Sequence, residues 1–154
     1  MCPYLRNHPY PGRTVDLVLE PRAEHVQVRS PADLRPLVEK LEARMRVLGY
    51  PSRDLFAVTL ALYEAANNAF QHGNRGDRGK HIRVRYVVTM AEVLLEVEDQ
   101  GPGFDPDEVP DPLHGGIRDR PGGRGLFLMR TYMTWVSFNR EGNRVTLARQ
   151  RSAS

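Results

Sequence analysis

Two hydrophobic periods alternate along this chain. Leu34, Leu37, Val38, Leu41, Met45 and Leu48 recur every three or four residues, the spacing of one helical face. Ser30 and Pro31, with Asp33 three residues after the serine, supply a start signal, and Gly49 supplies a stop. A second start at Ser52 opens a helix that includes Leu60 to Asn74, with Leu62, Ala66, Ala69 and Phe70 at core spacing and the turn-rich run HGNRGDRG at its end. Beyond it the period falls to two. If the chain reverses around Met90 and Ala91, Val88 faces Val93, Tyr86 faces Leu95, Val84 faces Val97 and Ile82 faces Asp99. The same register sets Arg85 against Glu96 and Arg83 against Glu98 on the other face, so both faces agree. Val15, Leu17 and Leu19, then Val26 and Val28, predict a first hairpin; Val136 and Phe138 with Val145 and Leu147 predict a closing one across Glu141 and Gly142. Between them Gly125 to Met133 reads as a short helix. In all, about six strands are expected and no internal repeat is present.

The helix that includes Leu60 to Asn74 has a second stripe, Glu64, Asn68 and His72, spaced by four residues. A carboxylate, a carboxamide and an imidazole on consecutive turns can take a proton, bind a metal through oxygen and hydrogen-bond a phosphate; a solvated polar face would look the same. Asp99 is a carboxylate on a strand face otherwise made of core residues, and burial is costly unless a donor meets it. Gly122, Gly123, Arg124 and Gly125 precede the short helix. Glycines there let backbone amides approach an anion while the helix dipole favours negative charge, though a tight packing turn would use the same residues. The stretch from Gln100 to Arg124 is long and rich in Gly and Pro, as functional lids and disordered segments are.

Composition narrows the setting. At 154 residues one core suffices. Residues 1–13, with three prolines and no periodicity, are expected to be a flexible tail, and residues 14–150 a single domain with 100–124 as its lid. Twenty-two Lys and Arg nearly balance nineteen Asp and Glu. Basic residues gather from Arg75 to Arg85 and from Arg140 to Arg151, but no aromatic residues interleave as a stacking platform, so no direct nucleic-acid partner is expected. Cys2 is the only cysteine, which rules out an intrachain disulfide and a thiolate metal cluster. No apolar run approaches a membrane span and no secretion signal opens the chain, so no membrane association and a cytoplasmic location are expected.

Three motifs in this order carry a resemblance: EAANN at 64–68, DQGPG at 99–103 and GGRGLFLMR at 122–130. The chain resembles the GHKL superfamily of ATP-binding domains, and within it the bacterial anti-sigma-factor serine/threonine-protein kinases, over roughly Val15 to Arg149. The resemblance implies an α+β fold, a two-layer sandwich with a mixed, mostly antiparallel sheet covered on one face by helices. It implies ATP and Mg²⁺ as cofactors. Glu64 would be the catalytic base, Asn68 the Mg²⁺ ligand, and Asp99 the acceptor for the adenine amino group, with Gly101 and Gly103 giving the base access. Gly123, Arg124 and Gly125 would hold phosphate, with His72, Arg118 and Arg120 as further candidates. Helix-end packing explains His72, and lid salt bridges the two arginines, equally well. The implied phosphate acceptor is a serine or threonine on a STAS-type antagonist; a sigma factor and a homodimeric partner are also admitted.

The sequence departs from the family pattern at Asn143, where several relatives place a threonine near the adenine, and at Thr134 and Trp135, where the kinase group often has acidic residues. A non-catalytic ATP-gated binding module is the competing function, and retention of Glu64 favours the kinase. The stretch before Pro31 offers no phosphoacceptor helical hairpin of the histidine-kinase type.

Overall fold

The computed structural model describes residues 15–105 and 123–154. The expected tail at 1–13 and most of the expected lid, with Arg118 and Arg120, lie outside them. Among the described residues are five strands and three α-helices. The strands are β1 (Glu24–Val28), β2 (Ile82–Val88), β3 (Glu92–Glu98), β4 (Trp135–Phe138) and β5 (Arg144–Gln150); the helices are α1 (Arg35–Val47), α2 (Ser52–Asn68) and α3 (Gly123–Tyr132).

Sheet order is β1-β2-β3-β5-β4, and every neighbouring pair is antiparallel, where a mixed sheet of about six strands was expected. The β2/β3 register is the one the pattern predicts from Val88↔Val93 to Arg83↔Glu98. It stops one pair short of Ile82 and Asp99, because the Asp99 N–H turns to the Asn143 carbonyl at 2.9 Å. The closing hairpin also pairs as expected, Val136↔Leu147 and Phe138↔Val145.

Alternation sends Ile82, Val84 and Tyr86, Val93, Leu95 and Val97, and Val136, Val145 and Leu147 to the helix-covered face. There they meet Leu37, Leu41 and Met45 of α1 and Val58, Leu62 and Ala66 of α2. The opposite face holds a smaller apolar cluster of Val87, Leu94, Trp135 and Ala148. Beside it lies a charged ladder in which Arg85 meets the fully buried Glu96 at 2.5 Å and Arg83 meets Glu98 at 3.2 Å.

The expected first hairpin does not form. Only Glu24–Val28 is a strand, and it pairs with β2. The Asp16 carboxylate accepts the Val18 N–H at 3.0 Å and the Asp16 carbonyl accepts the Leu19 N–H, which turns the chain before a strand can run. Leu17 is thereby buried in the cluster on the outer sheet face, while Val18 and Leu19 point to solvent.

α1 ends as its glycine demands. Gly49, at φ 79°, lets its own N–H reach the Arg46 carbonyl and the Tyr50 N–H reach that of Met45, a Schellman closure. At the start of α2 the fully buried Asp54 accepts the Arg149 guanidinium through Nε at 2.9 Å and Nη2 at 2.6 Å, with the Ser152 amide and hydroxyl at 2.7 Å each. Arg149 also donates from Nη1 to the Tyr132 carbonyl at 2.7 Å. One ion pair thus joins the start of α2, the end of α3 and the end of β5. Among the described residues no helix is long and apolar enough to cross a membrane.

Candidate functional site

The expected single helix through Asn74 is interrupted. α2 ends at Asn68, and Ala69–Gly73 form a π-helical turn in which the Asn74 N–H reaches back to the Ala69 carbonyl at 2.7 Å. Asn74 is fully buried and explains the turn. Its Oδ1 accepts the Gln100 N–H at 2.8 Å and its Nδ2 donates to the His81 carbonyl at 3.1 Å, so the helix end is tied to the segment that follows β3. The wider turn breaks the four-residue stacking beyond Asn68. Glu64 and Asn68 remain one α-turn apart and partly buried, while His72 is exposed.

Directly over that pair lies the start of α3. A Cβ on Gly125 would stand 2.9 Å from Glu64 Oε2 and 3.1 and 3.2 Å from the two terminal atoms of Asn68. Any side chain at residue 125 would displace the tips of Glu64 and Asn68 from these positions. Gly123 and Gly125 are buried and Arg124 is exposed. The first-turn amides of a ten-residue helix have no intrahelical acceptors and sit at its positive dipole end, so they suit an anion. Glu64 and Asn68 are therefore brought against Gly125 from two helices far apart in sequence, with Gly123 and Arg124 in the same first turn as Gly125.

The second half of the site lies where the π-turn meets the end of β3. A Cβ on Gly73 would fall inside the Asp99 carboxylate, and one on Gly101 would fall on the Gly73 carbonyl, so these three residues are packed backbone to side chain. Asp99 Oδ1 accepts the Gly101 N–H at 2.8 Å. Burial raises the Asp99 pKa, with repulsion from Glu98 acting the same way and the Gly101 amide and Lys80 offsetting part of it. A half-buried carboxylate with so little donor support among the described residues is suited to a ligand donor. Gly103, at φ 76°, lies against the Glu141 carbonyl, and Gly142 against that of Phe104, so the β4–β5 turn backs the segment that follows Asp99.

Gly73 and Asn74 were not singled out from the sequence. Within HGN they read as turn residues, and only the 99–103 segment folded against them gives them a role at the site; a glycine and an asparagine directly after the Glu64 stripe were the available signal.

An open antiparallel sheet with helices on one face, and a site held between two of those helices and a strand end, is the architecture of the GHKL class. Comparison with known proteins agrees. A family model described as histidine kinase-like ATPase domain matches residues 28–149, and the chain belongs to that family. It is 29% identical over 126 residues to the serine-protein kinase RsbW of Bacillus licheniformis, covering 74% of this chain and 77% of that protein. It is 34% identical over 102 residues to the serine/threonine-protein kinase BtrW of Bordetella bronchiseptica, covering 64% of this chain and 72% of that one. RsbW of Bacillus subtilis is 28% identical over 126 residues, covering 74% and 77%.

Family membership implies ATP, and the residues present fit it. The start of α3 seated on Glu64 and Asn68 offers backbone amides to phosphate, and the partly buried Asp99 carboxylate offers an acceptor to a base amine. Beneath Gly125 lie Glu64 Oε2 and Asn68 Oδ1, oxygens of the kind a hard ion such as Mg²⁺ takes while keeping part of its water, with the Asn68 amide nitrogen beside them.

Proposed function

We propose that this chain is a Mg²⁺-dependent protein serine/threonine kinase that transfers the γ-phosphoryl group of ATP to a serine or threonine of a STAS-type antagonist, and that it acts as an anti-sigma factor by partner switching. The observation that carries the reading is the seat of Gly125 on the Glu64 and Asn68 side chains. It sets an anion-receptive helix start over a carboxylate and a carboxamide, the pairing that phosphoryl transfer to a hydroxyl needs.

Each residue then has a physical task. Asp99 accepts a hydrogen bond from the adenine amine, which guanine lacks because it carries a carbonyl there. Gly73 and Gly101 keep that carboxylate accessible, and Gly103 admits the base. The amides of Gly123 to Gly125 hold phosphate oxygens with Arg124 beside them. The Asn68 carboxamide oxygen holds the metal, which when bound neutralises charge on the phosphates. Glu64 takes the proton of the incoming hydroxyl as its oxygen bonds to the γ-phosphorus; the bond to the β,γ-bridging oxygen breaks and ADP leaves with that electron pair.

The test separates chemistry from binding. Glu64→Gln keeps the shape and leaves Asn68 in place, so nucleotide affinity should hold while single-turnover transfer to a serine-bearing STAS partner falls by about 10² to 10⁴. Asn68→Ala should weaken both. Wild-type protein that transfers no phosphate yet binds a partner tightly only with ATP would establish the ATP-gated binding module instead.

A further inference from the structure

Asn139 lies in the turn between β4 and β5, and its side chain works entirely inside that turn. Its Oδ1 accepts the N–H groups of Asn143 at 3.1 Å and Arg144 at 3.0 Å, and its Nδ2 donates to Asn143 Oδ1 at 2.7 Å. Its backbone adds two more bonds, from its N–H to the Arg144 carbonyl at 2.9 Å and from the Gly142 N–H to its own carbonyl at 3.1 Å. Five hydrogen bonds from one residue fix the position of Glu141, Gly142 and Asn143.

Those three residues are what Asp99 and its following segment rest on. The Asn143 carbonyl accepts the Asp99 N–H at 2.9 Å, the Glu141 carbonyl lies against Gly103, and Gly142 lies against Phe104. Phe104 in turn meets Phe138, the residue before Asn139, edge to face at 5.1 Å between ring centres. The β3/β5 ladder ends at Glu98↔Arg144, so beyond it the Asn143 carbonyl is the sheet's remaining hold on the Asp99 backbone.

We infer that Asn139 is a positioning residue for the base end of the nucleotide: by fixing the β4–β5 turn it fixes where the Asp99 carboxylate points. The inference rests on the reading of Asp99 as the acceptor for the base amine. A loosened turn lets Asp99 and Gly103 drift from the base while Gly123, Gly125, Glu64 and Asn68, carried by α2 and α3, keep their places. Loss is therefore specific to the base half of the ligand.

Calorimetry and competition with Mg-ATP and Mg-tripolyphosphate on the full chain test this, with wild type, Asn139→Ala, Asn139→Asp, Asp99→Asn and the Asn139→Ala/Asp99→Asn double variant. Asn139→Ala is expected to weaken ATP about tenfold, the scale of one or two lost hydrogen bonds, and to leave tripolyphosphate unchanged. Asn139→Asp keeps both backbone acceptances, and the Asn143 amide can turn to donate to it, so it should rescue ATP affinity. Because Asn139 acts through Asp99, the alanine change should add little once Asp99→Asn is present. If thermal melts show Asn139→Ala unfolded, Asn139→Ser, which retains one acceptor, replaces it. Wild-type ATP affinity in Asn139→Ala beside a weakened Asp99→Asn overturns the positioning role and leaves Asp99 in its own. Equal loss of ATP and tripolyphosphate overturns it as general loosening. Unchanged ATP affinity in Asp99→Asn removes the Asp99 reading and this inference with it.

Discussion

A methyl group at residue 125 would have to push the Glu64 carboxylate aside, since it would stand 2.9 Å from Oε2. Alanine is otherwise welcome there, because within a helix it is favoured over glycine by about 1 kcal/mol. Gly125→Ala is thus expected to melt no lower than wild type while phosphoryl transfer drops by about tenfold or more, as misplaced catalytic groups do. A lower melting temperature in step with the loss of activity would assign Gly125 to packing alone. Asp99 makes the second prediction at this scale. Burial raises its pKa, and a base amine that bonds the ionised carboxylate pulls it back down on binding. ATP affinity should therefore be fully present above the pKa of the free protein and decline as pH falls from there towards the lower pKa of the complex. Titration calorimetry across that range checks it, with Asp99→Asn as the variant whose affinity should be flat over the same interval.

Elements meet at the Asp54–Arg149 pair, where the start of α2, the last carbonyl of α3 and the end of β5 converge. Burial works to raise the Asp54 pKa, yet the Ser152 amide and hydroxyl and the Arg149 guanidinium together hold the carboxyl below its ordinary value. Because the folded-state pKa is depressed, the pair's contribution is present above the unfolded aspartate pKa of about 3.9 and is lost as pH falls through the folded value. Asp54→Ala leaves the guanidinium without its carboxylate in a mostly buried site, and should cost about 3 kcal/mol in chemical denaturation at neutral pH. The difference from wild type should shrink in acid below about pH 4. None of this was legible beforehand, since the partners are 95 residues apart and leave no local pattern. What was legible is local: the β2/β3 register followed from charges on one face agreeing with apolar residues on the other, and both hold in the structure. The π-turn was missed for the same reason as the ion pair. Its cause is the Asn74 side chain bonding Gln100, 26 positions on, whereas the local spacing continues a plain helix. The first hairpin failed in the other direction, where the Asp16 turn overrides an alternating pattern too short to compete.

At the scale of the whole molecule the sheet carries an apolar cluster on each face. The larger faces the helices and the site; the smaller, from Val87 to Trp135, packs with Leu17. Leu17 is 2% exposed, so Leu17→Ala should cost about 2 to 3 kcal/mol, the lower part of the range for buried leucines. Nucleotide affinity should stay intact at temperatures where the variant is folded, because the site lies on the other side of the sheet. The order β1-β2-β3-β5-β4 has a consequence for how the protein is made. β5 is the last of these strands to leave the ribosome, yet it occupies the interior of the sheet between β3 and β4. Until Arg144–Gln150 emerge, β3 presents an open edge bearing Val93, Leu95 and Val97, and the nascent chain holds most of its hydrophobic surface without the strand that closes it. Folding is then expected to be a late, collective event during synthesis, and nascent chains released after Asn143 should aggregate where those that extend through β5 do not, a contrast that light scattering on stalled and released translation products would read.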